Sequence, residues 1–163
     1  MSRGQYPSTR MRRNRMTAFS RRLVAETRLD TADLIWPLFV IEGQNIAEPI
    51  DAMPGVFRYS IDQLLQQAAK AVELTIPAIA IFPSIDAALK DESGSLAQDS
   101  DNLVCRAVSA VKAAFPDLGI ICDVALDPFT SHGHDGLLDG DEILNDETIA
   151  VLCDQAVHQA NAG

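Results

Sequence analysis

The stretch Ile120-Ile-Cys-Asp-Val-Ala-Leu-Asp127, closed by Pro128, is an apolar run with two acids four residues apart, and its reading as a strand decides the fold. Strand side chains alternate, so Cys122, Val124 and Leu126 share one face while Asp123, Ala125 and Asp127 share the other. Working outward, Ala78-Ile-Ala-Ile-Phe82, stopped by Pro83, and Leu34-Ile-Trp-Pro-Leu-Phe-Val40 are two more short runs suited to buried strands. Pro37 predicts an edge position or a distortion in the first of them. Residues 49–55 read as turns, and 86–101 and 128–144 as loops.

Helical spacing fills the gaps between these runs. Ser60 opens a helix with Gln63 at capping-box spacing, and Leu64, Leu65, Ala68, Ala71 and Val72 form its apolar face. A second helix is predicted over Asn102–Phe115, ended by Pro116. A third begins near Asn145, with Asp146 and Glu147 at the positive end of its dipole. Its predicted buried stripe is Ile149, Leu152, Cys153, Ala156 and Ala160. The order β-α-β-α-β-α is that of a parallel sheet with helices packed outside. Three parallel strands leave faces and edges uncovered, and the last helix runs out at Asn161-Ala-Gly163, where a fourth strand should follow. The sequence reads as the front part of something longer.

The 163 residues suit one domain, and a hydrophobic fraction of 47% with 22% charged residues excludes wholesale disorder. No apolar run is long enough to span a bilayer, and no apolar stretch follows the basic N-terminus as a secretory leader would require. Three cysteines without a CxxC pair fit a reducing, cytoplasmic compartment better than a disulfide scaffold. The net charge of −10 conceals an asymmetry. Residues 1–28 hold eight arginines, Arg3 among them, against one acid, whereas the remainder holds five basic residues against 22 acids. A basic arm over residues 1–30 thus precedes an acidic body over residues 31–163. Such an arm suits nucleic acid, an acidic surface or a transit peptide, but the body repels polyanions, so docking on a sister subunit is expected, with neither nucleic acid nor a membrane as partner.

Candidate chemistry concentrates in Asp123–Gly136. Two carboxylates aimed the same way from a strand end are costly to bury, and in β/α folds ligands gather at the C-terminal ends of strands. Thr130, Ser131, His132, His134 and Asp135 follow within a few residues. A solvated acidic loop is the bland alternative and explains a single Asp better than this cluster. No EF-hand register fits, and no thiolates stand in register for structural zinc. The spacing permits a hard cation such as Mg²⁺ at Asp127 and Asp135 without demanding one.

The stretch Asp123-Val-Ala-Leu-Asp-Pro-Phe-Thr-Ser-His-Gly-His-Asp-Gly136 resembles the signature of the porphobilinogen synthase (δ-aminolevulinic acid dehydratase) family. So do Arg10-Met-Arg-Arg-Asn14, Leu34–Val40, Met53-Pro-Gly-Val56 with Arg58, and Ala78–Pro83, in order along the whole chain. The resemblance implies a TIM (β/α)8 barrel with an extended N-terminal arm, of which this chain holds the first three βα units. It implies the condensation of two 5-aminolevulinate molecules to porphobilinogen, in tetrapyrrole and haem biosynthesis, by a hydro-lyase. It places Asp123 beside the substrate amine, and Phe82 and Ser131 in the substrate pocket. Zinc-dependent members carry cysteines where this chain has Ala125, Asp127 and Asp135, so the resemblance is to the zinc-independent class, with catalytic carboxylates there instead. It further implies Mg²⁺ held mostly outside this chain, and a homo-oligomer, octameric in the family, joined through the arm. Thr75 stands where the family has a glycine before Ile-Pro, and residues 95–102 diverge from its pattern.

The family forms Schiff bases on two lysines. Here Lys70 and Lys112 fall on solvated helix faces and Lys90 in a polar loop, so none is expected to be a nucleophile and the chain alone is expected to be inactive. Two other readings are a non-catalytic interaction module and a carboxylate-based metal-dependent hydrolase using Asp123, Asp127 and Asp135.

Overall fold

A computed structural model describes residues 4–163, so Arg3 lies outside the described residues. The chain divides into two compact units, Met1–Asp30 and Thr31–Gly163. In the first, a 3₁₀ turn at Arg13–Arg15 precedes helix α1, Ala18–Leu23, whose Thr17 hydroxyl accepts from the Ser20 N–H at 3.4 Å. Neither element buries a residue, and Met11, Met16, Phe19 and Leu23 are exposed.

The second unit is built on strands β1 (Ile35–Ile41), β2 (Ala47–Pro49), β3 (Phe57–Tyr59), β4 (Ala78–Ser84) and β5 (Gly119–Cys122). They form one sheet in the order β2-β3-β1-β4-β5, parallel except for the β2–β3 hairpin. The helices are α2 (Ile61–Glu73), α3 (Leu103–Ala114) and α4 (Asn145–Ala162), and a small hairpin pairs β6 (Leu138–Asp139) with β7 (Glu142–Ile143). The fold is therefore mixed α/β on a parallel sheet. Leu38 and Val40 of β1 and Ile79 and Ile81 of β4 face Leu64, Ala68 and Ala71 of α2 and Val104, Ala107, Val108 and Val111 of α3 in one buried cluster. The opposite sheet face stays open at its ends, with Ile35 and Ile121 each about half exposed.

Several expectations need correcting. β1 is central, and Pro37 is tolerated there because β3 pairs only with Phe39 and Val40, leaving Pro37 a partner on the β4 side alone. Ser60 is the N-cap of α2, but its hydroxyl accepts from the Ile46 N–H at 2.8 Å and donates to Asp62 at 2.6 Å, so no capping box forms. Gln63 instead donates to the Asn45 side chain at 2.8 Å. The predicted third strand stops at Cys122, five residues early. β4 there reaches Phe82-Pro83, and a proline has no N–H for the ladder. In α4, Ile149, Cys153 and Ala160 are exposed while Thr148, Gln155 and Gln159 are buried, so the helix is turned from its predicted stripe.

Thr75 occupies the left-handed region at φ +58. It follows the α2 C-cap, with the Ile76 N–H bonded to Ala71 O at 2.9 Å and the Thr75 N–H to Val72 O at 3.0 Å, a Schellman closure that favours glycine. A β-branched residue is strained there by about 1–2 kcal/mol. Its hydroxyl recovers part of this through Leu74 O at 2.7 Å and Thr31 at 2.8 Å. Thr75→Gly therefore raises stability by about 0.5–1 kcal/mol, visible as a higher urea midpoint.

Candidate functional site

The loops after β4 and β5 meet above the C-terminal ends of the strands. Asp91 ties them together. Its carboxylate accepts the Ser93 N–H and hydroxyl at 3.0 and 2.9 Å, the Ser95 N–H at 3.0 Å, and a short bond from the Ser95 hydroxyl. Its backbone forms a parallel bridge with Thr130, and its carbonyl accepts the Ser131 N–H at 2.8 Å. These bonds, the Ser95 hydroxyl first, hold the Asp91 carboxyl down at about 2. A group with a lowered folded value stabilises above its unfolded value and loses that contribution as pH falls through the folded one. Asp91→Ala accordingly costs about 1 kcal/mol at pH 7. The difference from wild type vanishes as pH falls from about 4 to about 2, measured as urea midpoints across that range.

Between these loops lies a cavity of about 270 Å³, lined by Phe39, Phe82, Pro83, Lys90, Val104, Asp123, Ala125, Asp127, Pro128 and Phe129. Phe39 and Phe82 are register partners on β1 and β4, with ring centroids 5.8 Å apart, and they supply its aromatic wall. Leu126 and Phe129, both buried, anchor the turn that carries Asp127. The structure thus brings Asp123, Ala125 and Asp127 to one cavity, as the alternation predicted, although the regular strand ends before them, and it places Phe82 of β4 on the same wall. Loss of hydration, then the hydrogen bond and charge of Asp135, then the charge of Asp123, push the Asp127 carboxyl above its ordinary value. Asp135 therefore joins this group through Asp127. A carboxyl held above its ordinary value beside other acids is suited to donating a proton.

Ser131 is not brought into this cavity. It lines a neighbouring hollow of about 400 Å³ with Glu92, His132, Leu138 and Gly140, because its N–H is committed to Asp91. His132 is committed as well. Its Nδ1 accepts the His134 N–H at 3.1 Å, which leaves Nε2 to donate to Glu92 O at 3.1 Å. Lys90 is the residue that sequence reasoning left in a polar loop and the structure puts on the cavity wall. Its place follows from the return of residues 86–95 across the strand ends, which no local pattern encodes.

Metal ligation finds little support in this loop. Among the described residues no group of three or more His, Cys, Asp or Glu side chains is arranged to hold an ion. Ala125 offers no donor, and the three cysteines are free and dispersed. Burial, then the neighbouring Cys105, pushes the Cys122 thiol up to about 11, far from a ready thiolate. The residues present do not fit a zinc–thiolate site. Among the described residues no helix is long and apolar enough to cross a membrane.

The chain matches the family model described as delta-aminolevulinic acid dehydratase over residues 8–163. It is 58% identical to the delta-aminolevulinic acid dehydratase of Bradyrhizobium diazoefficiens over 154 residues, covering 94% of this chain and 44% of that protein. With the chloroplastic delta-aminolevulinic acid dehydratase 1 of Arabidopsis thaliana it shares 44% identity over 158 residues, 96% of this chain and 36% of the relative. Among solved structures it is similar to the delta-aminolevulinic acid dehydratase of Toxoplasma gondii ME49 in complex with the reaction product porphobilinogen. That similarity has a TM-score of 0.90 at 41% identity, over 95% of this chain and 44% of the other. The chain spans less than half the length of these relatives.

Proposed function

Because this chain belongs to the delta-aminolevulinic acid dehydratase family, we propose that it is the N-terminal half of a porphobilinogen synthase, contributing one wall of the site where two 5-aminolevulinate molecules condense with loss of water. The observation that carries this reading is the convergence of Asp123, Asp127 and Phe82 on one cavity at the C-terminal ends of parallel strands. In it, Asp123 receives the substrate amine, and the Asp127–Asp135 pair moves protons as the new bonds form. The Phe39–Phe82 wall excludes water from one side, and Lys90 offers a cation to a substrate carboxylate. Ser131 acts from the adjoining hollow.

We read β1, β4 and β5 with α2, α3 and α4 as the first three βα units of a (β/α)8 barrel, and residues 1–30 as its arm. The open sheet face supports this, since parallel sheets are covered on both faces. The Mg²⁺ implied by the family would be held mostly by residues outside this chain, and tight zinc binding is not expected where thiolates are replaced by Ala125, Asp127 and Asp135. Three free cysteines favour a reducing cytoplasm. The test of function is complementation. Co-expressed with the segment of the Bradyrhizobium diazoefficiens relative that follows its matched region, this chain forms porphobilinogen from 5-aminolevulinate. Absence of product from a soluble complex refutes the reading.

The arm is proposed to join subunits. It carries the arginines and exposes Met11, Met16, Phe19 and Leu23, apolar surface that calls for cover. In the complemented enzyme, deleting residues 1–22 lowers the oligomer size by light scattering.

A further inference from the structure

β5 loses its ladder after Cys122, yet two carbonyls beyond it are bonded from another element. Gln159 Nε2 donates to Asp123 O at 2.9 Å, and Gln155 Nε2 donates to Ala125 O at 3.1 Å. The spacings match. Donors four residues apart on a helix lie about 6 Å apart along its axis, close to the roughly 6.6 Å that two residues advance in an extended chain. Both glutamines are buried, Gln155 at 1% exposure and Gln159 at 7%, where an amide is costly unless bonded. Gln155 Oε1 finds no partner among the described residues. Its amide is thus turned to serve Ala125 at the expense of its own acceptor, since the flipped amide would set two oxygens face to face. Packing alone would be met by leucine or methionine, without an orphaned oxygen.

We propose that Gln155 and Gln159 are positioning residues for the proposed site: their amides replace the missing strand ladder and fix where Asp123 and Asp127 stand relative to Asp135. The inference rests on the reading of this cavity as the substrate site, and it adds residues of α4 that do not line it. The charged groups facing Asp127 are Asp135 and Asp123, with Lys90 on the same wall.

The test uses Gln155→Met and Gln159→Met, which keep length and volume and remove the donor. In the substrate-free 163-residue chain at neutral pH, each variant shifts the carboxyl ¹³C resonances of Asp127 and Asp135 and leaves the amide spectrum of β1 and β4 in place. In the complemented enzyme each lowers kcat by up to about 10²-fold, the cost of a misplaced catalytic group, with KM nearly unchanged. Wild-type carboxyl resonances and wild-type kcat in both variants overturn the proposal. If a variant fails to fold, the wild-type chain decides. Slowly exchanging Gln159 Nε2 protons coupled through the hydrogen bond to the Asp123 carbonyl carbon support it, and rapid exchange without coupling overturns it. The carboxyl resonances are read without substrate. Failure of the complemented enzyme to make porphobilinogen therefore defeats the functional reading alone.

Discussion

Incubated with 5-aminolevulinate, the 163-residue chain by itself yields no porphobilinogen and, after borohydride, no substrate-sized adduct on Lys70, Lys90 or Lys112. Imine chemistry needs an amine made nucleophilic by desolvation or by a cationic neighbour. Lys70 and Lys112 sit on helices α2 and α3, where their ammonium groups are spent on Gln67 at 3.1 Å and on the Pro116 and Leu118 carbonyls at 3.0 and 3.2 Å. Lys90 reaches the cavity, but its company there is Asp123 and Asp127, acids rather than cations. Mass spectrometry of the trapped chain checks the expectation residue by residue. An adduct on Lys90 together with pyrrole formation would show a catalytic centre complete within this chain. Product that appears only with the C-terminal segment added is the expected result.

In that complemented enzyme, Asp127→Ala lowers kcat by about 10²–10⁴-fold, the range for losing a positioned general acid or base. Stability moves the other way, or not at all. The folded state raises the Asp127 carboxyl above its ordinary value, so it binds the proton more tightly than the unfolded chain does. Such a group stabilises fully below its unfolded value of about 3.9 and loses that contribution as pH rises through the folded value. At pH 7 the Asp127 carboxyl meets the charges of Asp135 and Asp123, and its removal relieves that repulsion. Urea midpoints at pH 7 at or above wild type, beside a collapsed kcat, mark Asp127 as a chemical residue. A parallel fall in both would mark it as a structural one.

The parallel core was legible because β1 and β4 are short apolar runs, and α2 and α3 carry clean helical faces. The β2–β3 hairpin was not, since Ala47–Pro49 and Phe57–Tyr59 are three residues each, too short for a period-2 pattern to rise above turn chemistry. Residues 123–127 alternate as a strand would, but a strand also needs a partner, and β4 had run into Pro83. The same alternation still placed Asp123, Ala125 and Asp127 on one cavity. In α4 the hydropathy pattern misled for a physical reason: Gln155 and Gln159 look like solvent-facing residues until the carbonyls they serve are known. Lys90 was beyond reach for a related reason. Its position is set by Asp91 and Thr130, which meet only after the chain has folded back across two strands.

The glutamine bonds of α4 also set an order of events as the chain folds. They span 30 and 36 residues, less than the separations across which Ile35 pairs with Ala78 and Ala78 with Gly119, so loop length does not delay them. Synthesis sets the order instead, because α4 follows β5 in the chain. A nascent chain that has just completed β5 has all five strands of the sheet and none of the helix that holds its acids in place. The carboxylates acquire their final spacing only when the last two turns of α4 have been synthesised and have docked. Maturation of the site trails formation of the scaffold, and a chain halted before Gln155 would have a sheet with its acids still unset.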